Sequence, residues 1–121
     1  MHRVLVVEDE ETVARALERS LKRLGAEVRL LFDTSLLETT LLEFRPTHVV
    51  SDLRMTPLDG IAVLSLAKRL VPEARRTVLS GSIETISQGM LEEILPCRLV
   101  SKPWRDSTLG VDLGLEMGKT S

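Results

Sequence analysis

A doubly wound α/β domain around a five-stranded parallel sheet is the fold this sequence predicts, and three observations carry that prediction. Five short apolar runs rich in β-branched residues recur along the 121 residues. Between them the apolar period changes from that of a strand to that of a helix. Strand and helix alternate at least four times, the rhythm of βα units whose helices cover both faces of a parallel sheet.

The first run, Arg3-Val4-Leu5-Val6-Val7, is apolar without alternation, as a strand covered on both faces is. Val13, Leu17, Leu21 and Leu24 then follow the spacing of one helix face, and Gly25 stands where a C-terminal cap needs positive φ. Val28 to Leu31 reads as the second strand. Ser35 and Glu38 have capping-box spacing, opening a helix with a stripe of Leu37, Leu41 and Phe44 that Pro46 stops. His48 to Ser51 is the third strand, followed by a helix on Ile61, Leu64 and Ala67 that ends near Pro72. Thr77 to Ser80 is the fourth strand, and Ile83, Ile86, Met90 and Ile94 form the next stripe, closed before Pro96. Arg98 to Ser101 is the fifth strand. The last segment reads two ways: Leu109, Leu113 and Met117 share a helix face, yet Leu109, Val111, Leu113, Leu115 and Met117 also alternate like a strand. Gly110, Gly114 and Gly118 each cost a helix about 1 kcal/mol relative to Ala. A helix is expected all the same, because the preceding rhythm requires a cover for the sheet.

Composition narrows the function. The chain is 13.5 kDa with 43% hydrophobic and 28% charged residues, the mixture of one folded domain with no linker, repeat or second core. Aromatics are only 2%, with no Tyr, so Leu, Val and Ile must build the core and base stacking has almost no material. Sixteen Lys and Arg against 18 Asp and Glu give −2, a balance that does not ask for nucleic acid as a direct partner, and none is expected. Cys97 is alone and cannot form an internal disulfide; it reads as a small half-buried hydrophobe in a reducing, cytoplasmic setting. No apolar run approaches membrane-spanning length and the strand pattern begins within three residues, so neither a span nor a signal peptide is expected. His2 and His48 show no metal-ligand pattern.

In open parallel sheets ligands bind beyond the carboxyl ends of the strands. Glu8-Asp9 follows the first strand, Asp52 the third, Ser80 closes the fourth and Lys102 follows the fifth. Carboxylates gathered there repel one another unless a cation neutralises them. Oxygen ligands without His or Cys suit a hard ion, and a few carboxylates with waters and a phosphate are how Mg²⁺ is usually held. Lys102 adds a positive charge for a carboxylate or phosphoryl oxygen, and Ser80 a hydroxyl donor. A carboxylate nucleophile, a metal, a cation and a donor are what phosphoryl transfer needs.

The runs Val4-Leu5-Val6-Val7-Glu8-Asp9-Glu10, Ser51-Asp52-Leu53-Arg54-Met55 leading to Asp59-Gly60, Leu79-Ser80-Gly81 and Ser101-Lys102-Pro103-Trp104 resemble the receiver domain of two-component response regulators. The resemblance covers essentially residues 1–121 and implies the flavodoxin-like receiver fold with strand order 2-1-3-4-5. It implies that Asp52 accepts a phosphoryl group from a histidine kinase or a histidine phosphotransfer protein. By the same likeness Asp9, Asp52 and the backbone carbonyl of Arg54 hold Mg²⁺, with Glu8 acting through water. Ser80 then turns toward the phosphoryl group, Lys102 binds its oxygen, and the Lys102-Pro103 bond is cis. Such a domain catalyses only its own phosphorylation and dephosphorylation and is not a conventional enzyme. Output passes to an effector protein or to a second copy, whether the chain stands alone or belongs to a longer one.

The sequence departs from the family's pattern at named positions. Leu99 stands where an aromatic residue is usual, removing the ring that ordinarily follows the hydroxyl inward, and Thr56 stands where Pro is common, with Pro57 next. Arg54 and Ser82 flank the site and are expected to tune the phosphoryl lifetime. Trp104 reads as a packing residue beyond the strand. Arg15, Arg19, Lys22 and Arg23 give the first helix a basic face, either a solvated surface or a dock for the phosphodonor. Two other readings use the same residues. One is a receiver-like docking or dimerisation module independent of phosphate; the other is a Mg²⁺-dependent phosphohydrolase, disfavoured because no second acid or base sits beside Asp52.

Overall fold

A computed structural model describes residues 2–55, 58–81 and 86–115. Thr56, Pro57, Ser82, Ile83, Met117 and Gly118, named above, lie outside the described residues. The elements are β1 Arg3–Val7, α1 Glu11–Arg23, β2 Glu27–Leu31, α2 Leu37–Phe44, β3 His48–Asp52, α3 Gly60–Leu70, β4 Arg75–Ser80, α4 Gln88–Ile94, β5 Arg98–Ser101 and α5 Asp106–Leu113. The five strands are parallel in the order β2-β1-β3-β4-β5, the flavodoxin-like arrangement.

Alternation within β1 divides the core. Leu5 and Val7 pack with Val49, Leu37, Leu41, Phe44, Leu64 and Ile94 on the face covered by α2, α3 and α4. Val4 and Val6 pack with Val50, Leu79, Val100, Leu17, Leu21, Leu109 and Leu113 on the face covered by α1 and α5. Side chains of successive strand residues point to opposite faces, so an unbroken apolar run fills two layers at once.

Several boundaries differ from the sequence reading, each for a local reason. β4 begins at Arg75 rather than Thr77, because two arginines ahead of the apolar run continue the ladder with β3. The inner stripe of α1 is Ala14, Leu17, Ser20 and Leu21, with Val13 and Leu24 at its margins, and Gly25 ends the turn at φ +88°. The Ser35–Glu38 capping box does not form. Asp33 instead accepts the Ser35 N–H at 3.0 Å, capping a short 3₁₀ turn over Thr34–Leu36 that leads into α2. Ser87 caps α4 by accepting the Met90 N–H, so Ile86 lies before the helix. The final segment is a helix: Leu109 and Leu113 are buried, Val111 is exposed, and Gly114 at φ +77° ends it.

Basic side chains gather at the strands' amino ends. Arg76 at the start of β4 is 4% exposed, and its guanidinium donates to the carbonyls of Ala74 (3.0 Å), Pro72 (3.3 Å), Pro96 (3.3 Å) and Ile94 (3.4 Å). It thereby clamps the chain after α3 to the chain after α4, and no carboxylate lies within ion-pair distance among the described residues. The Leu95-Pro96 bond inside the clamp is cis. Cys97 packs beside it, half-buried as expected, and burial pushes its thiol pKa up.

His48 opens β3 on the same edge and is buried. Its Nδ1 meets Thr47 Oγ1 at 2.8 Å, its Nε2 lies 3.3 Å from the Gly114 carbonyl, and His2 meets the ring edge-on. Burial lowers its pKa, and the charges of His2, Arg75 and Arg98 push the same way against the Gly114 hydrogen bond. Unfolded histidine titrates near 6.5. The unfolded chain therefore binds the proton first, and stability falls as pH drops below that value. His48→Gln is expected to flatten this segment of the stability profile, measured as the difference in urea midpoint between pH 7.5 and 5.5 for variant and parent. Equal slopes would reject the assignment.

Candidate functional site

Glu8 and Asp9 leave the carboxyl end of β1, and Asp52 ends β3 beside it. Glu8 and Asp52 are buried while Asp9 is exposed, so the group is open on one side only. Ligand oxygens of the three carboxylates all lie within 4.8 Å of one another. Lys102, just past β5, reaches across: its Nζ is 2.7 Å from Asp52 Oδ1 and 3.3 Å from Glu8 Oε1. Glu8 Oε2 accepts the Glu10 N–H at 3.1 Å, so both of its oxygens are engaged by the protein.

Electrostatics follow from this crowding. Burial raises the Glu8 pKa and the Asp52 charge adds to it, opposed by the Glu10 N–H and by Lys102. For Lys102, burial disfavours the ammonium, yet the Asp52 hydrogen bond and both carboxylate charges outweigh it and hold its pKa above that of free lysine. The ammonium thus persists as the neutralising charge of the cluster.

Ser80 ends β4, buried, opposite Ser101 in register and one residue beyond the partner of Asp52. Its carbonyl accepts the Lys102 N–H at 2.9 Å, which ties the two residues through the backbone. The Lys102-Pro103 bond is cis, as the resemblance implied. Arg54 lies two residues past Asp52 with its side chain exposed and in no ion pair among the described residues. Leu99 is 39% exposed on β5. Of the basic face of α1, Arg15 pairs with Glu11 and Glu18, Lys22 with Glu18, and Arg23 with Asp106, so much of its charge is internally balanced.

Two contributors escaped the sequence reading. Gly60, first residue of α3, donates its N–H to the Leu53 carbonyl at 2.8 Å, and a Cβ there would stand 2.4 Å from the Asp52 carbonyl oxygen. The Asp59-Gly60 pair was visible as a motif, but only the fold shows what it presses against. The second is a joint of Ser20, Trp104 and Asp106 in the chain that follows Lys102, for which the sequence carries no spacing signal.

A carboxylate cluster at the switch of a 2-1-3-4-5 sheet defines a flavodoxin-like α/β protein with a cation-ready acidic site. The chain belongs to the response regulator receiver domain family, whose sequence model matches residues 4–111. The transcriptional regulatory protein PrrA of Mycobacterium leprae is 36% identical over 79 residues, 65% of this chain and 34% of that protein. The chain therefore spans about a third of the length of the curated relatives it matches. Among solved structures, chemotaxis protein CheY4 of Vibrio cholerae superposes with TM-score 0.83 at 19% identity, covering 94% of this chain and 97% of that one. A response regulator receiver domain protein of Clostridium thermocellum gives 0.80 at 21% identity, covering 94% and 92%. At these identities the structures speak for the fold. No helix among the described residues is long and apolar enough to cross a membrane.

Proposed function

We propose that this chain is a phosphorylation-dependent signalling switch in which Asp52 accepts a phosphoryl group from a histidine kinase or histidine phosphotransfer protein. The observation that carries the reading is the Lys102 ammonium 2.7 Å from the buried Asp52 within a carboxylate cluster open at Asp9. A carboxylate oxygen of Asp52 attacks phosphorus, the new O–P bond forms as the donor's N–P bond breaks, and the electron pair returns to the donor imidazole. Lys102 is placed to move from the carboxylate to a phosphoryl oxygen, and the Ser80 hydroxyl to donate to another. Attack by water on phosphorus restores the carboxylate and releases phosphate, so the chain turns over only its own phosphoryl group.

The all-oxygen donor set, open at Asp9, fits Mg²⁺. Asp9, Asp52 and the Arg54 backbone carbonyl would hold it, and Glu8, whose oxygens already take Glu10 and Lys102, would act through water. When bound, the ion supplies charge neutralisation for the phosphoryl oxygens. Incubation with Mg²⁺ and a small-molecule phosphodonor is expected to add one phosphoryl group by intact mass, and Asp52→Asn to abolish it. An unmodified parent, or an equally modified variant, rejects the reading. The exposed Leu99 leaves room for a docking module that ignores phosphate; light scattering unchanged by beryllofluoride would favour it.

A further inference from the structure

The chain just past Lys102 is tied down, as the Lys102 side chain is at the carboxylates. Two residues past it, half-buried Trp104 packs on the core layer of α1 and α5 and directs its indole N–H to Asp106 Oδ1 at 3.1 Å, with Ser20 Oγ at 3.4 Å. Ser20 donates its hydroxyl to the same Asp106 oxygen at 2.7 Å, and Arg23 pairs with the other at 2.9 Å. Ser20 is the one polar residue in the buried stripe of α1. A hydroxyl there costs free energy unless it is bonded, and its partner comes from the first residue of α5.

β5 pairs only with β4, so past its last residue the sheet gives the chain no further support on the outer side. A lysine ammonium at the end of a flexible stem is well placed only if its backbone is fixed. One fixation is the Lys102 N–H on the Ser80 carbonyl; the other is the joint of Trp104 with Asp106 and Ser20.

We propose that Trp104 is a positioning residue for Asp52 chemistry: with Ser20 and Asp106 it holds the backbone that aims Lys102 between Glu8 and Asp52. The inference rests on the reading of Asp52 as phosphoacceptor. Coupling is reciprocal, so a group bound at Asp52 changes the joint between α1 and α5 by the same free energy that the joint contributes to binding.

Trp104 is the only Trp in a chain without Tyr, so intrinsic emission reports this position alone. In the full chain, beryllofluoride with Mg²⁺ is titrated while the adduct is scored independently by fluorine NMR. Emission is expected to shift in step with the adduct. Trp104→Phe, which keeps a ring and removes the N–H, and Ser20→Ala are expected to raise the half-saturating concentration about fivefold, the effect of one lost hydrogen bond. Ser20→Thr, which keeps the hydroxyl, is expected to stay near the parent. An adduct that saturates with silent emission overturns the inference and leaves the Asp52 reading standing; so does parental saturation in both Trp104→Phe and Ser20→Ala. No adduct on the parent overturns both.

Discussion

Gly60→Ala is expected to cost the fold about 3 kcal/mol and to weaken beryllofluoride binding at Asp52 in the molecules that remain folded. The added methyl carbon would lie 2.4 Å from the Asp52 carbonyl oxygen and 2.9 Å from Leu53 Cα. Both are backbone atoms and cannot rotate aside, which is why the upper end of the usual overpacking range applies. Relief comes in two ways, and each damages something described above. If α3 withdraws, the Gly60 N–H loses the Leu53 carbonyl at 2.8 Å, and the Asp59 cap on the Ala62 N–H shifts with it. If the end of β3 withdraws, the Asp52 carboxylate moves relative to Lys102. Urea unfolding and a beryllofluoride titration measure the two consequences, and a variant within about 0.5 kcal/mol of the parent would refute the close approach.

Arg76→Met is expected to destabilise by about 2–3 kcal/mol while leaving beryllofluoride saturation unchanged in the folded fraction. Two effects oppose each other. Removing a buried guanidinium that has no carboxylate beside it among the described residues saves several kcal/mol of desolvation, the same penalty that lowers the Arg76 pKa. Removing it also strips the carbonyls of Pro72, Ala74, Ile94 and Pro96 of their donor, at about 1.5–3 kcal/mol for each hydrogen bond to a charged group. Four such bonds exceed the saving, and methionine fills much the same volume, so the loss is electrostatic rather than a cavity. Arg76→Lys keeps the charge but gathers its donors at one point, and is expected to rescue little. Chemical denaturation decides: a methionine variant as stable as the parent would mean that the clamp contributes nothing net.

What the sequence disclosed and what it hid divide along physical lines. The inner strands β1, β3 and β4 and the inner faces of α1, α2 and α3 were legible because burial on two faces writes an apolar run and burial on one writes a 3.6-residue period, whereas β2 and β5 at the sheet's edges are more exposed and showed as short runs. The Ser35–Glu38 spacing misled because Asp33, two residues earlier, takes the Ser35 N–H that the Glu38 side chain would accept in a capping box. The alternation from Leu109 to Leu115 was ambiguous in one dimension and was settled by the sheet beneath it, which takes Leu109 and Leu113 and leaves Val111 outside. At the site, Glu8, Asp9, Asp52, Ser80 and Lys102 were found together because each sits at a strand's carboxyl end, where the topology collects side chains. Arg76, His48 and the Trp104 joint were not legible. Each joins near neighbours to a partner far along the chain, Ile94 and Pro96 for Arg76, Gly114 for His48 and Ser20 for Trp104, and no spacing rule encodes a contact such as that between Ser20 and Asp106.

The gathering of arginines at one edge of the sheet has a consequence for how the molecule meets others. β1, β4 and β5 begin on Arg3, Arg75 and Arg98, while β1 and β3 deliver Glu8, Asp9 and Asp52 at the opposite end. A net charge of −2 therefore coexists with an uneven spread of charge along the strand axis, reduced at one end by the Arg3–Glu27 pair and at the other by Lys102. Such a molecule turns in the field of a charged neighbour before it touches it, presenting its acidic end to a basic surface and its arginine end to an acidic one, and added salt erases that preference over a length of about 10 Å at 0.1 M.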